Sequence, residues 1–236
     1  MDTRGIPTPT LMTETALALW MQLHDSAFPA GRLVHSNGFE EWLTHHPGAC
    51  SSDIEAVALL YLTYGVATLD ATATAAAWRA APSSLALCDL DAVVSTYKLT
   101  GNSRAASQSA GMQLAATAQQ VGLCGGDYLA AVLDGSSAGN LAVVEGAVQA
   151  HLGVDVHTAV LGSMRSALAS VLSAAVRLGR LGPLEAQRIQ VRNVDAVVAL
   201  AGSACDRPLA RISSAVAQLE IAGMRHEVRT QRLFAS

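Results

Sequence analysis

Apolar residues along this chain recur every three or four positions, and no stretch keeps the alternation that a half-buried strand requires. The pattern predicts a first helix over 12–24, with Leu17, Trp20, Met21 and His24 on one face. That helix stops in Asp25-Ser26-Ala27-Phe28-Pro29-Ala30-Gly31, where a helix breaker and a permissive glycine fall together. A short helix follows over 36–45, ahead of Pro47. Ser52-Asp53-Ile54-Glu55 has capping-box spacing and predicts a long helix from there to Ala80. Further helices are expected over 84–99 and 103–121, the second stopped by Gly122 in a left-handed turn.

Beyond the Gly125-Gly126 joint come a short helix and a polar stretch, 134–139, read as a flexible loop. Helices follow over 141–151 and 156–178. Gly182-Pro183 opens another, with Val191, Val194, Val198 and Ala201 as its apolar stripe. Asp206-Arg207-Pro208 is expected to start the last helix in the same way, before a polar, Arg-rich tail over 223–236. The sum is one all-α domain over 1–236, of nine or ten packed helices, with 1–10 expected to be flexible and no fixed-period repeat.

Composition sharpens this picture. Nearly one residue in five is alanine, aromatics are 4% and charged residues 14%, so disorder is excluded and thin, closely packed helices are favoured. Net charge is −4, which leaves no electrostatic footprint for nucleic acid. Lys98 is the only lysine, a bias that a GC-rich genome explains as well as an interface does. Cys50, Cys88, Cys124 and Cys205 lie far apart, without zinc spacing, and read as buried small hydrophobes in a reducing compartment. The start of the chain lacks the basic-then-apolar pattern of an export leader. The longest apolar run, 156–178, carries Arg165 and Arg177, so no membrane span and a cytoplasmic location are expected.

Few residues suggest catalysis. No Walker loop, dinucleotide fingerprint or nucleophile elbow occurs, and no serine sits beside a recognisable base. His24-Asp25 suggests an HD-type metal hydrolase, but no histidine precedes it, and His24 reads as well as a helix C-terminal residue. His45 and His46 are adjacent, so their rings diverge on a helix and do not share a metal. Three polar clusters stand out instead: 25–41, 177–192 and 225–234. The last keeps Leu233 and Phe234, which a chain end seldom leaves undocked.

Four blocks, in order, carry a resemblance. They are Leu19-Trp20-Met21-Gln22-Leu23-His24-Asp25-Ser26-Ala27-Phe28-Pro29-Ala30-Gly31 with His35-Ser36-Asn37-Gly38-Phe39-Glu40; Ser103-Arg104 through Ser109 and Gly111; Ser173-Ala174-Ala175-Val176-Arg177 through Pro183 with Gln187-Arg188; and Met224-Arg225-His226-Glu227 ending Arg232-Leu233-Phe234-Ala235-Ser236. Together they resemble the urease accessory protein UreF family nearly end to end. Arg32-Leu33-Val34 and Pro183 depart from the family pattern, and 123–140 has no match in it.

The resemblance implies an all-α, non-enzymatic, homodimeric adaptor that needs no cofactor of its own. Its implied partners are a UreD/UreH-type accessory protein, a UreG-type GTPase and apo-urease, with nickel and GTP handled by the partner complex. It implies a partner surface shaped by Ser26, Phe28, Pro29, Gly31, His35, Ser36, Gly38 and Glu40, for whose glycines and proline turn geometry is an equal reading. Arg177, Gln187 and Arg188 would shape another surface, and Arg225, His226, Glu227, Arg232, Leu233 and Phe234 would anchor the tail on the UreD-type partner. The HD-type hydrolase and a diverged relative with another partner stay as alternatives.

Overall fold

A computed structural model describes residues 12–32, 35–227 and 234, and among these it is all helix and turn. The segment 1–10, expected to be flexible, lies outside the described residues. The helices are α1 (Glu14–Leu23), α2 (Phe39–His45), α3 (Ser51–Tyr61), a π-helical segment (Leu62–Asp70), α4 (Ala71–Ala80), α5 (Ser84–Tyr97), α6 (Gly101–Gln120) and α7 (Asp127–Leu133). They continue with α8 (Leu141–His151), α9 (Val156–Arg177), α10 (Pro183–Arg192), α11 (Val194–Asp206), a 3-10 turn (Leu209–Arg211) and α12 (Ala217–Glu227). α3, the π segment and α4 run on as one helix, Ser51–Ala80.

Helix starts follow side-chain chemistry. Thr13, Ser83, Thr100 and Asp155 each accept a hydrogen bond from the backbone N–H three residues on, opening α1, α5, α6 and α9. At α3 the box forms two residues earlier than expected: Cys50 is the cap, and Asp53 accepts from its N–H at 2.9 Å. Glu55 is thereby left to bind Arg192 and Asn193 across the fold. Cys50 is exposed and Cys88 half-buried, so only Cys124 and Cys205 are the buried cysteines that were expected.

Alanine and glycine set the packing. α4 against α8 is the most extensive helix pairing. A Cβ on Gly146 of α8 would lie 2.5 Å from the Thr74 carbonyl oxygen and 2.6 Å from Ala77 Cβ, so the two backbones nearly touch. Two apolar cores result. One gathers α2, α3, α9, α10, α11 and α12 around Phe39, Met164, Leu172 and Ile189. The other gathers α1, α5, α6, α7 and α8 around Leu23, Leu114, Tyr128 and Val143. Ser51–Ala80 and Val156–Arg177 are in fact long and apolar enough to cross a membrane, contrary to expectation, but more than half of each apolar stretch is buried inside the fold.

Several expectations are corrected. Leu17 and Met21 of α1 are exposed, and its anchors are Ala16, Leu23 and the polar edges of Trp20 and His24. The stripe Val191–Val194–Val198 does not face the core: a break at Asn193 separates α10 from α11 and turns all three outward, Val191 to 73% exposure. The final helix starts at Ala217, because 212–216 runs extended along the π segment, and it carries on through Glu227 into the supposed tail.

The polar stretch 134–139 is pinned, not loose. Asp91 on α5 is fully buried, and its carboxylate accepts from Tyr128, Ser137, the Gly139 N–H and both nitrogens of Asn140. The same carboxylate pushes the Tyr128 phenol, already raised by burial, still further above its ordinary pKa.

Candidate functional site

The loop joining α1 to α2 is built from the inside. Asp25 holds its own turn, its Oδ1 accepting from Ala27 N–H at 2.7 Å. Pro29 offers its carbonyl to Thr117 on α6. Gly31, at φ +68°, lies against the Ala110 backbone. Gly38, at φ +84°, sits under α12, where a Cβ would come 2.6 Å from the Leu219 carbonyl oxygen. His35, Ser36 and Glu40 are buried, Phe28 is half-buried, and Ser26 and Pro29 are exposed. Most of this first set therefore shapes the surface from beneath.

A buried polar network underlies the loop. Arg32 Nε donates to Glu145 on α8 at 2.7 Å, and its Nη1 donates to the Leu23 carbonyl, capping the end of α1. His24 lies 2.9 Å from the Ser166 hydroxyl and 3.0 Å from Gln149 Oε1, which also accepts from Trp20. Gly162 makes room for both rings, since a Cβ there would lie 2.6 Å from His24 Nε2 and 2.7 Å from Trp20 Cζ2. Burial lowers the His24 pKa, Glu145 opposes that shift, and Arg32 adds to it. Burial pushes the Glu145 carboxyl up, but the charges of Arg32 and His24, together with hydrogen bonds from Ser163 and Arg32, outweigh it and hold the group below its ordinary value.

With His24 committed to Ser166 and Gln149 and Asp25 to its own turn, the HD dipeptide assembles no metal site. Among the described residues no three His, Cys, Asp or Glu side chains converge where they would hold an ion.

Three residues from three separate polar clusters do meet. Phe234 is buried to 4% exposure, its N–H donates to Glu40 Oε2 at 3.2 Å, and Arg177 Cζ lies 4.3 Å from its ring centre. Phe234 is thus seated on α2 and on the last turn of α9. Gln187, Arg188 and Arg225 are exposed and, among the described residues, take no part in this contact, and Arg188 lies 3.4 Å from Glu185. His226 and Glu227 fall in the last turn of α12, and Arg232 and Leu233 lie outside the described residues.

Sequence reasoning passed over other residues at this surface. Arg180 donates to the carbonyls of Leu43, His46 and Pro47, tying the end of α2 to the α9–α10 joint. A cavity of about 190 Å³ opens between α6, α8, α9, the π segment and α12, lined by Arg32, Asp70, Lys98, Glu145, Ser163 and Glu220. The Lys98–Asp70 pair, 2.6 Å apart, stands on its wall. No local pattern announces either feature, because each joins residues far apart in the chain.

Comparison with known proteins matches this sequence to one family. The UreF family model covers residues 50–194. The chain is 26% identical over 222 residues to a urease accessory protein UreF of Trichodesmium erythraeum, spanning 92% of this chain and 95% of that one. A Granulibacter bethesdensis protein of the same name is 27% identical over 234 residues, covering 97% and 98%. One from Paenarthrobacter aurescens is 29% identical over 234 residues, covering 95% and 100%. A family model over more than half the chain, and relatives matched along nearly their full length, place this protein in the UreF family of urease accessory proteins.

Proposed function

We propose that this chain is a non-enzymatic adaptor in urease maturation. It joins a UreD/UreH-type accessory protein and a UreG-type GTPase so that nickel reaches apo-urease, with GTP chemistry and nickel held by the partners. It works in the cytoplasm as a homodimer and needs no cofactor of its own. The observation that carries this reading, beside family membership, is the meeting of Glu40, Arg177 and Phe234. It joins two of the polar clusters to the third, so that one partner could engage all three together.

The test is urease activation in cells supplied with nickel and expressing apo-urease with UreD- and UreG-type partners, with and without this chain. Activity that depends on the chain, together with its co-purification with both partners, is the expected result. A folded chain that leaves activity unchanged and captures neither partner would overturn the adaptor reading in favour of a diverged relative.

A further inference from the structure

The extended segment 212–216 pairs with the side of a helix. Ser213 N–H donates to the Thr68 carbonyl and Ala215 N–H to the Tyr64 carbonyl, each at 3.1 Å. The Thr68 hydroxyl closes the pair by donating to the Ser213 carbonyl at 2.7 Å. Both acceptors lie in Leu62–Asp70, the part of the long helix wound as a π-helix. A carbonyl oxygen has two lone pairs, so one already used by the helix can still accept from an outside donor, and here the strap supplies it. The strap therefore uses the π segment as a strand would use a sheet edge.

What the strap carries closes a cavity. Ser214 and Val216 of the strap, with Leu219, Glu220 and Gly223 of α12, form one wall of the 190 Å³ space whose other walls are the π segment, α6, α8 and α9. Glu220 holds the first turn of α12 by accepting from Val216 N–H at 3.2 Å, so strap and helix form one unit. That unit buries few large side chains: Ile212, Val216 and Leu219 with Ala222 face inward, while Ile221 and Met224 are half exposed. It rests on Gly38, where any Cβ would collide with the Leu219 carbonyl, and on Gly65, where a Cβ would come 3.1 Å from Val216 Cγ2. Upstream it joins α11 only through 207–211, which includes Pro208 and a single 3-10 turn. Packed chiefly on α2 and α6, this strap and helix are a smaller unit than the α4–α8–α9 core and open at lower free energy.

We propose that residues 208–227 form a lid over this cavity, hinged at Arg207–Pro208 and latched to the π-helical segment by Thr68. Thr68 is a positioning residue, acting through the strap. With the lid closed, Glu145 and Ser163 on the polar floor are buried while Asp70 at the mouth stays partly exposed; opening it gives solutes access to the floor. The latch is intrinsic to the chain, so its test needs neither partner nor metal.

The experiment places a reporter thiol inside the cavity and reads its reaction with Ellman's reagent. Ala106, a buried lining residue, becomes Ala106→Cys in a full-length chain whose accessible thiols are removed by Cys50→Ser and Cys88→Ser. Adding Thr68→Val keeps the side-chain shape and removes the latch hydroxyl. The expected result is a labelling rate about two to ten times faster, with faster amide exchange over 213–227 and unchanged exchange in α9. Thr68→Ser restores the slow rate. In a second arm, Gly65→Cys and Val216→Cys, oxidised to a disulfide, slow labelling below the parent rate. Equal rates in the parent, Thr68→Val and oxidised forms would overturn the lid, and the cross-linked arm decides the matter even where Thr68→Val folds poorly.

Discussion

Arg177, in the last turn of α9, lies with its guanidinium 4.3 Å above the ring of Phe234, joining a helix end to a chain end 57 residues further on. An exposed cation over an aromatic face contributes about 0.5–1 kcal/mol, while burying a phenylalanine contributes about 1.5–3 kcal/mol. Ring burial therefore dominates the seating of Phe234, with the cation as the smaller contribution.

The first prediction compares the two residues. Phe234→Ala should loosen the tail by about 2 kcal/mol, read as faster proteolysis after Arg229 or Arg232 and as loss of partner capture. Arg177→Ala should have a several-fold smaller effect, and Phe234→Leu should fall between. Equal effects for Arg177→Ala and Phe234→Ala would mean that the charge, not the ring, holds the tail.

Asp91 is the keystone of the 134–140 loop. Asp91→Ala strands a phenol, a serine hydroxyl, two backbone N–H groups and the Asn140 amide inside the protein. Hydrogen bonds to a buried charge contribute about 1.5–3 kcal/mol each, with strong non-additivity, so a loss of at least about 3 kcal/mol is expected in urea unfolding. Exchange of the Gly139 and Asn140 amides should rise with it.

Glycines of opposite role give a paired prediction. Gly146→Ala forces a methyl into the Thr74 and Trp78 backbone and should cost about 1–3 kcal/mol despite better helix propensity. Gly202 on α11 has open space where its Cβ would be, so Gly202→Ala should stabilise by about 0.5–1 kcal/mol. Thermal unfolding of the two variants should shift in opposite directions.

Stability should fall in two acid steps. His24 and His35 have pKa values lowered by burial from the ordinary 6.5, so the unfolded chain takes up protons first, and stability declines as pH drops below about 6.5 towards their folded values. Glu145 is held below its ordinary 4.5, so its contribution is present above 4.5 and is lost as pH falls through its folded value. Denaturant midpoints measured from pH 7.5 to 4 should show the first decline reduced, but not abolished, in His24→Gln. An unchanged first decline in that variant would remove His24 from the account.

Local physics made much of the helix map legible. Gly122 stops α6 at φ +75°, and Pro183 opens α10 at its first turn, as turn and cap chemistry require. Where the reading failed, competing partners stood elsewhere in the chain. Glu55 left its capping box because Arg192 and Asn193 reach it from the far side of the fold. The last helix began late because the strap amides found carbonyls on the π segment. Within the candidate site, Glu40, Arg177 and Phe234 were each singled out by polarity or docking need, but their meeting was invisible, since it joins α2, α9 and the chain end.

By itself, then, the sequence determined an all-α chain of thin, alanine-rich helices, most of their stops, and its family, because periodicity, capping and motif order are local properties carried by neighbouring residues. Tertiary structure decided which apolar stripes face inward, that Asp91 organises a loop more than 40 residues away, and that a π-wound segment lends its carbonyls to the strap. Those outcomes depend on which distant groups satisfy one another's hydrogen bonds and fill one another's space, and a linear pattern does not encode that choice.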